Sequence, residues 1–318
     1  MSDVVPPVEV EAPDIGRFAA GNTGIPYVIS FEAAEPGPHA AITALVHGNE
    51  LCGAHALVHL LEAGLRPARG RLTLAFVNVE AYRRFDPANP HATRFVDEDF
   101  NRVWDEATLD GRRRSVELDR AREIRPVIES ADWLLDLHSM QLPSPPLLLC
   151  GTSEKGRRLA SAMGWPATVV ADAGHRAGAR MRDFAQFGEP ASPRTAMLVE
   201  GGPHWARPSV EVAIATCRQF LAATGTVAPV MLDALCPAPP GGPQHVIEVS
   251  EAVTVESGPF RFVDPYLGLE EIPRAGTVIA YDGSRPVRTP YDRCILIMPS
   301  RRLVKGLTAV RLGREVAP

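Results

Sequence analysis

The sequence has few cysteines, and their spacing excludes two common structural roles. There are five, an odd number, scattered through the chain without a C-x-x-C pair. A disulfide framework needs cysteines that can pair, and a thiolate zinc site needs cysteines in close pairs, so neither is indicated. Unpaired thiols persist in a reducing compartment, and we therefore expect a cytoplasmic protein.

The sequence also lacks long hydrophobic runs and an excess of positive charge. No apolar run approaches the roughly 18 residues that cross a bilayer, and residues 1–13 are acidic and proline-rich without a basic leader. The net charge is -5, and the short basic run at residues 112–114 opens a helical pattern that carries Glu117, Asp119 and Glu123. That mixture is typical of a solvated helix face. We expect neither a membrane nor a nucleic-acid partner.

The composition is that of an ordinary globular protein with a sizeable core. At 318 residues and 45% hydrophobic content, the chain is longer than one hydrophobic core usually supports, which favours two domains. Residues 237–243 read Pro-Ala-Pro-Pro-Gly-Gly-Pro, a stretch that continues neither a helix nor a central strand. We interpret it as a linker between a large domain of residues 1–236 and a small one of residues 244–318.

Apolar, β-rich runs alternate with amphipathic segments from residue 40 to residue 223, and only short β-type runs follow the linker. The predicted strands of the first part are residues 40–46, 72–78, 133–138, 146–150, 167–170 and 195–200. Its predicted helices are residues 51–63, 116–129 and 210–223. After the linker, the predicted strands are residues 244–255, 277–281, 294–298 and 308–312. This pattern predicts an α/β fold with a mostly parallel mixed sheet flanked by helices, followed by a small C-terminal all-β domain.

Two segments place metal-binding side chains at the ends of predicted strands. His47-Gly48-Asn49-Glu50 follows one apolar run, and Asp136-Leu137-His138 ends another. Open α/β sheets bind ligands at the carboxyl ends of their strands, so we expect these side chains to converge. Two imidazoles and one carboxylate would hold a zinc ion and leave a fourth position open, as catalytic zinc requires.

Asp136 shares its side of the strand with His138, so it could accept a hydrogen bond from a ligand histidine and fix its tautomer. His55 and His59 also share a helix face at i,i+4 spacing. They lack the glutamate of a zincin motif, and packing or solvent contact is expected for both. His204 lies near the proposed site in sequence, and a surface or structural role is favoured for it.

Two further segments complete an ordered set of motifs. Residues 93–102 read Thr-Arg-Phe-Val-Asp-Glu-Asp-Phe-Asn-Arg, and residues 198–203 read Leu-Val-Glu-Gly-Gly-Pro. With these in view, the sequence resembles the succinylglutamate desuccinylase/aspartoacylase family, a branch of the zinc carboxypeptidase-like hydrolases. The resemblance spans most of residues 40–203. It implies one Zn²⁺ per chain with His47, Glu50 and His138 as ligands.

The resemblance also implies roles for four other side chains. Glu200 would be the general base, since a carboxylate beside zinc-activated water can accept a proton as the water attacks an amide. Arg94 would polarise the substrate carbonyl and stabilise its oxyanion. Asn101 and Arg102 would hold the α-carboxylate of the amino-acid portion. Without the motif, Asn101 and Arg102 would be interpreted as part of an ordinary polar turn, and Arg94 as a solvated surface arginine.

The chain departs from the family at the arginine that grips the carboxylate of an acidic acyl group. The corresponding position falls near Pro190, and Arg182 and Arg194 are the nearest arginines. A short neutral acyl group such as acetyl is therefore as consistent with the sequence as succinyl or aspartyl. Tyr266, Tyr281 and Tyr291 of the C-terminal part are expected to be packing residues.

Together these features favour a zinc-dependent deacylase that hydrolyses the amide of an N-acyl amino acid or related small molecule. The alternatives are a metallocarboxypeptidase that acts on short peptides and a non-catalytic metal-binding homologue. The expected partner is the small-molecule substrate, and a homo-oligomer is left open.

Overall fold

The computed structural model describes residues 7–174 and 177–317. An eleven-stranded mixed sheet runs through this part of the chain, and a three-stranded antiparallel sheet lies beside it. The strands are β1 Val28–Glu32, β2 His39–Ala44, β3 Arg71–Phe76, β4 Trp133–Met140, β5 Leu147–Leu149, β6 Thr168–Ala171, β7 Thr195–Pro203, β8 His245–Thr254, β9 Phe260–Phe262, β10 Glu270–Ile272, β11 Val278–Asp282, β12 Arg285–Arg288, β13 Cys294–Ile297 and β14 Thr308–Val316.

Helices connect the strands up to residue 235. The α-helices are α1 Leu51–Glu62, α2 Val79–Tyr82, α3 Glu106–Asp110, α4 Val116–Ser130, α5 Glu154–Met163, α6 Arg207–Ala223 and α7 Pro229–Leu235. Short 3-10 turns occur at Gly16–Phe18, Phe100–Arg102, Met181–Asp183 and Ala185–Phe187. The described part of residues 244–317 contains strands and no helix, as the sequence predicted.

The large sheet has the strand order β1-β3-β2-β4-β7-β5-β6-β8-β14-β13-β10. Five of its neighbouring pairs are parallel, and five are antiparallel. The sheet is therefore mixed, and the expectation of a mostly parallel sheet is not confirmed. The antiparallel pairs come from β1, from β5 beside β7, and from the C-terminal strands.

Alternate residues of the central strands enter two different hydrophobic cores. Ala40, Ile42 and Ala44 of β2 belong to a cluster that includes residues of α1, α5 and α6, whereas Ala41 belongs to a cluster with α4. Side chains of a strand point to opposite faces in turn, so both faces of this sheet are covered. This explains why β2 reads as a continuous apolar run rather than an alternating one.

The C-terminal strands continue the large sheet instead of standing apart from it. β8 pairs in parallel with β6, and β14, β13 and β10 follow outward. These strands, together with the three-stranded sheet of β9, β11 and β12, also enclose a separate hydrophobic cluster that contains Tyr266. The division into two domains at residues 237–243 stays a prediction.

Most predicted elements are found within a few residues of their expected ends. No helix in the described residues is long and apolar enough to cross a membrane.

Candidate metal centre and active site

The predicted site residues gather around one cavity at the carboxyl ends of three parallel strands. β2, β4 and β7 lie side by side, and His47 follows β2 while His138 and Glu200 lie near the ends of β4 and β7. The cavity has a volume of about 370 Å³. The predicted site residues that line it are His47, Glu50, Arg94, Asn101, Arg102, His138 and Glu200. The sheet therefore brings together side chains that are up to 153 positions apart, from His47 to Glu200.

Glu50 lies between the two histidines of the proposed metal centre. Its Oε1 is 2.8 Å from Nδ1 of His47, and its Oε2 is 3.0 Å from Nδ1 of His138. One ligand atom from each of the three residues lies within 4.8 Å of the others, and all three side chains are buried. Two imidazole nitrogens and a carboxylate oxygen at such separations match the donor set of a catalytic zinc site.

The second nitrogen of each histidine contacts another carboxylate. Nε2 of His138 lies 2.8 Å from Asp136 Oδ2, and Nε2 of His47 lies 3.0 Å from Asp99 Oδ1. Such outer carboxylates fix the tautomer and orientation of metal-ligating histidines. The contact between Asp136 and His138 follows from the two-residue spacing on one strand. The Asp99 contact spans 52 residues, and no sequence pattern beyond the motif itself predicts it.

Charge in the cluster favours a bound cation. Burial alone would raise the pKa of Glu50, but the charges of His47 and His138 hold it well below its usual range. For Asp99, burial is likewise outweighed by His47 and Arg94, which lower its pKa. Burial opposes charge on His138, yet Asp136 and Glu50 raise its pKa well above the ordinary value. Carboxylates that stay ionised at a buried site stabilise a positive charge there, and a bound divalent metal would take the place of the proton on His138.

The loop that carries His47 and Glu50 is fixed by its backbone. Gly48 donates its N–H to the carbonyl of Arg94 at 3.0 Å, which joins this loop to the segment of residues 93–102. A Cβ at Gly48 would come within 2.4 Å of the Ala81 carbonyl carbon, so no larger residue fits without displacing backbone. Leu45, just after β2, has a φ of 63°, a left-handed conformation that bulky residues rarely adopt. The tight turn directs the chain from strand to helix across the site.

Glu200 stands directly opposite His138 in the pairing of β4 with β7. Its Oε2 is buried and has no hydrogen-bond partner among the described residues. Burial raises the pKa of Glu200 to about 8, and the charge of His138 opposes that rise. A carboxyl group whose pKa lies near neutrality can both accept and release a proton, as a general base requires.

Arg94 lies beside the proposed metal centre. Its guanidinium contacts Glu50 Oε1 and Asp99 Oδ2, each at 3.2 Å. Asp99 also accepts a hydrogen bond from the backbone N–H of Asn101 at 2.9 Å, at the start of the 3-10 turn that holds Asn101 and Arg102. This turn places both side chains in the cavity wall. Burial lowers the pKa of Arg102 to about 10, a shift that neighbouring arginines add to.

Glu117 corrects one expectation from the sequence. It is fully buried at the first turn of α4, although the charge pattern indicated a solvated helix face. Its carboxylate accepts the backbone N–H groups of Val96, Asp97 and Glu98 at 2.6, 3.0 and 3.2 Å. These hydrogen bonds hold the loop that carries Arg94. Glu117 immediately precedes the buried Leu118 in α4. Helical periodicity could not reveal which backbone N–H groups the Glu117 carboxylate binds.

The arginines named as substitutes for the acyl-binding position lie elsewhere. Arg182 and Arg194 do not line the cavity; Arg194 forms an ion pair with Asp132 at 3.7 Å. Arg180 and Arg311 line it instead, and both contact Oδ2 of Asp172, at 2.8 and 3.0 Å.

His55, His59 and His204 have different surroundings in the structure. His55 and His59 each contact a backbone carbonyl, of Glu11 at 2.8 Å and Leu235 at 3.0 Å, so their i,i+4 spacing serves packing. His204 is buried in the cavity wall, which excludes a surface role. Tyr266, Tyr281 and Tyr291 do not line the cavity.

The fold and the site define an α/β protein with a His-Glu-His cluster and a partly buried glutamate at one sheet edge. The model of the succinylglutamate desuccinylase/aspartoacylase catalytic domain matches residues 36–193. The chain belongs to the succinylglutamate desuccinylase/aspartoacylase family, whose named members are hydrolases. No curated protein matches it by sequence.

Three solved structures illustrate the likeness in fold. A succinylglutamate desuccinylase from Vibrio parahaemolyticus is 18% identical with a TM-score of 0.65, over 92% of this chain and 87% of that one. An aspartoacylase family protein from Mesorhizobium loti is 20% identical with a TM-score of 0.61, over 92% and 90%. The ectoine utilization protein EutE from Ruegeria pomeroyi, solved with product bound, is 20% identical with a TM-score of 0.59, over 90% and 87%. At these identities the likeness establishes the fold.

Proposed function

We propose that this protein is a zinc-dependent hydrolase that cleaves the amide bond of an N-acyl amino acid or a related small molecule. The observation that carries the proposal is the cluster of His47, Glu50 and His138 with the partly buried Glu200 opposite His138 in the same cavity. A metal centre and an adjacent proton acceptor are the two parts that amide hydrolysis by activated water needs.

The three clustered side chains would hold one Zn²⁺ per chain. When bound, the ion would supply Lewis acidity and lower the pKa of a coordinated water to about 7. Glu200 accepts the proton released as water attacks the amide carbonyl, and it returns that proton to the leaving amine. A cation nearby also favours the ionised form of Glu200, which counteracts the effect of burial on its pKa.

Arg94 stabilises the negative charge that develops on the carbonyl oxygen. Its guanidinium is fixed by two carboxylates, so little reorganisation is needed as the charge appears. Asn101 and Arg102 hold the α-carboxylate of the amino-acid portion. Arg102 offers a planar fork that can grip a carboxylate with two hydrogen bonds. Arg180 and Arg311 line the same cavity, but Asp172 contacts both and Asp183 also contacts Arg180, so the anionic group of the substrate is assigned to Arg102.

The shape of the cavity favours a small substrate over a peptide chain. Residues from the C-terminal strands and their loops, including Met298, Arg302, Leu307 and Arg311, form part of its wall. A metallocarboxypeptidase would use the same catalytic groups but would need an open groove for the peptide. The deacylase is therefore preferred. A non-catalytic homologue would not need Glu200 or Arg94, and both are present in the cavity.

We place the protein in the cytoplasm, because the five cysteines are unpaired thiols. The partner that we propose is the small-molecule substrate.

The test is an assay of the metal-loaded protein with N-acetyl and N-succinyl amino acids and short peptides, each with and without a chelator. We expect hydrolysis of one or more N-acyl amino acids that the chelator abolishes and added zinc restores. Faster cleavage of peptides than of N-acyl amino acids would establish the carboxypeptidase alternative. Hydrolysis that the chelator leaves unchanged would contradict the proposal.

A further inference from the structure

His204 and Trp205 follow the last residue of β7 and contact both segments that carry the proposed metal ligands. The Nδ1 of His204 lies 2.7 Å from the hydroxyl of Ser139, the residue after His138. The indole N–H of Trp205 donates to the carbonyl of Asn49, the residue before Glu50, at 2.8 Å. Two adjacent residues therefore connect the end of β4 with the loop between β2 and α1.

The backbone supports the same connection. The N–H of His204 donates to the carbonyl of Met140 at 2.7 Å, which extends the pairing of β4 with β7 past Pro203. The backbone N–H of Ser139 donates to Oε2 of Glu50 at 3.2 Å. The position of Ser139 therefore affects a ligand on the other segment as well as its neighbour His138.

Trp205 adopts a strained backbone conformation. Its φ is 65°, in the left-handed region that a bulky side chain rarely occupies. Such strain persists only where the surrounding structure requires it. Trp205 is buried, its ring packs beside those of His91 and His204, and its N–H is used by Asn49. The strained turn is what presents both side chains to the two segments.

His204 is suited to a fixed contact rather than to proton transfer. It is 2% exposed, and burial lowers its pKa to about 3, so the ring stays neutral over the working pH range. The Ser139 hydroxyl and Nδ1 of His204 share one hydrogen bond, and Nε2 of His204 has no partner among the described residues. A neutral ring with one strong hydrogen bond holds its partner without adding charge to the site.

We propose that His204 and Trp205 form a ligand clamp that fixes the separation of the two metal-binding segments, His204 through Ser139 and Trp205 through Asn49. This rests on the proposed metal site, but it assigns positioning residues that take no part in the chemistry. The clamp sets metal affinity, because ligands held in place need less ordering when the ion binds.

The test compares variants that remove one hydrogen bond each. His204→Phe removes the bond to Ser139, whereas His204→Asn retains a polar atom near the position of Nδ1. Trp205→Phe removes the indole N–H together with part of the ring, and Trp133→Phe at the opposite end of β4 makes the same truncation and is the matched control. Zinc affinity is measured by competition with a chromogenic chelator. We expect His204→Phe and Trp205→Phe to weaken zinc binding by about 10-fold or more, and His204→Asn and Trp133→Phe to stay within about threefold of wild type.

A second readout needs neither zinc nor activity. In metal-free protein, amide hydrogen exchange of the Ser139 segment is expected to be faster in His204→Phe than in wild type, and that of the Asn49 segment faster in Trp205→Phe. Failure of the wild type to hydrolyse any amide would remove the proposed function and leave these comparisons valid. Unchanged exchange and unchanged zinc affinity in both Phe variants would overturn the clamp. Equal losses in His204→Asn and His204→Phe would also overturn it.

Discussion

Glu200 shows how one residue acquires its chemistry from its neighbours. A glutamate at the surface is ionised at neutral pH and fully hydrated, whereas Glu200 has a buried oxygen without a partner among the described residues. Burial moves its pKa to about 8, and the proximity of His138 opposes the shift. The side chain can therefore exchange a proton near neutrality, and it lies across from His138, a ligand of the proposed metal centre.

Replacing Glu200 with glutamine should separate catalysis from metal binding. Glu200→Gln keeps the size of the side chain but cannot accept a proton, and general-base assistance contributes about 10²–10⁴-fold. We expect kcat to fall within that range while zinc content stays normal. Steady-state kinetics and elemental analysis measure both, with Glu211→Gln on the exposed face of α6 as the control. Unchanged turnover would remove Glu200 from its role.

Arg102 should act in substrate binding more than in the chemical step. Arg102→Lys keeps the charge but loses the planar fork, so we expect KM to rise about 10-fold or more with a smaller change in kcat. The comparison substrate is the same N-acyl compound with its α-carboxylate converted to an amide. Wild type that hydrolyses acid and amide equally well would show that Arg102 does not bind this group.

Motif and strand position were enough to predict which residues gather around the cavity. His47, Glu50, His138 and Glu200 all follow or end apolar runs, and parallel strands bring such ends to one edge. His204 has no paired spacing, and only the extension of β4 and β7 past Glu200 brings it beside Ser139. Its role depends on a contact across two strands that no local pattern records.

At the scale of elements, the first turn of α4 organises the loop that carries Arg94 and Asp99. Glu117 accepts three consecutive backbone N–H groups of that loop, and it also contacts the amide of Asn78 at 3.2 Å. The Glu117 carboxylate accepts hydrogen bonds from backbone N–H groups that would otherwise be paired within regular secondary structure. The helix thereby fixes the side of the cavity opposite the sheet edge.

Glu117→Gln tests this arrangement because it changes one acceptor oxygen into a donor. At least one loop N–H then loses its partner in a buried place, at a cost of about 1–3 kcal/mol. We expect a lower free energy of unfolding by urea and a reduced kcat/KM, since Arg94 is less well held. Glu123→Gln, in the same helix but half exposed, is the control and should behave as wild type. Equal stability of both variants would contradict the assignment.

The elements themselves were largely predictable because their apolar patterns are local. β2, α1, α4, β4 and α6 appear within about three residues of their predicted ends, a shift usual for element boundaries. α5 was not predicted; it has only ten residues and its composition is mostly charged and small. β1 was also missed, since its five residues show no sharp alternation of apolar and polar side chains.

At the scale of the whole molecule, the C-terminal strands and the α/β part share one sheet and a buried ionic cluster. Asp172 follows β6 and contacts Arg180 at 2.8 Å and Arg311 of β14 at 3.0 Å. The sequence predicted an all-β tail correctly but not that β8 pairs with β6. Which edge a strand joins depends on contacts far apart in the chain.

Asp172→Asn should destabilise the whole fold. Removing the charge leaves two buried arginines with less compensation, and breaking a buried pair in this way costs about 3–5 kcal/mol. We expect a large fall in the free energy of unfolding, with one cooperative transition in wild type. Asp233→Asn, which alters an exposed partner of Arg218, is the control. A stability loss no larger than that of the control would show that the cluster does not join the two parts.

The central claim is that one zinc ion, held by His47, Glu50 and His138, is required for amide hydrolysis. The most direct measurement is the rate of N-acyl amino acid hydrolysis by metal-free protein as zinc is added in steps. We expect a rate that rises in proportion to zinc, levels off at one ion per chain, and stays near zero in His138→Ala. A rate that is independent of added zinc, or equal in wild type and His138→Ala, would contradict it.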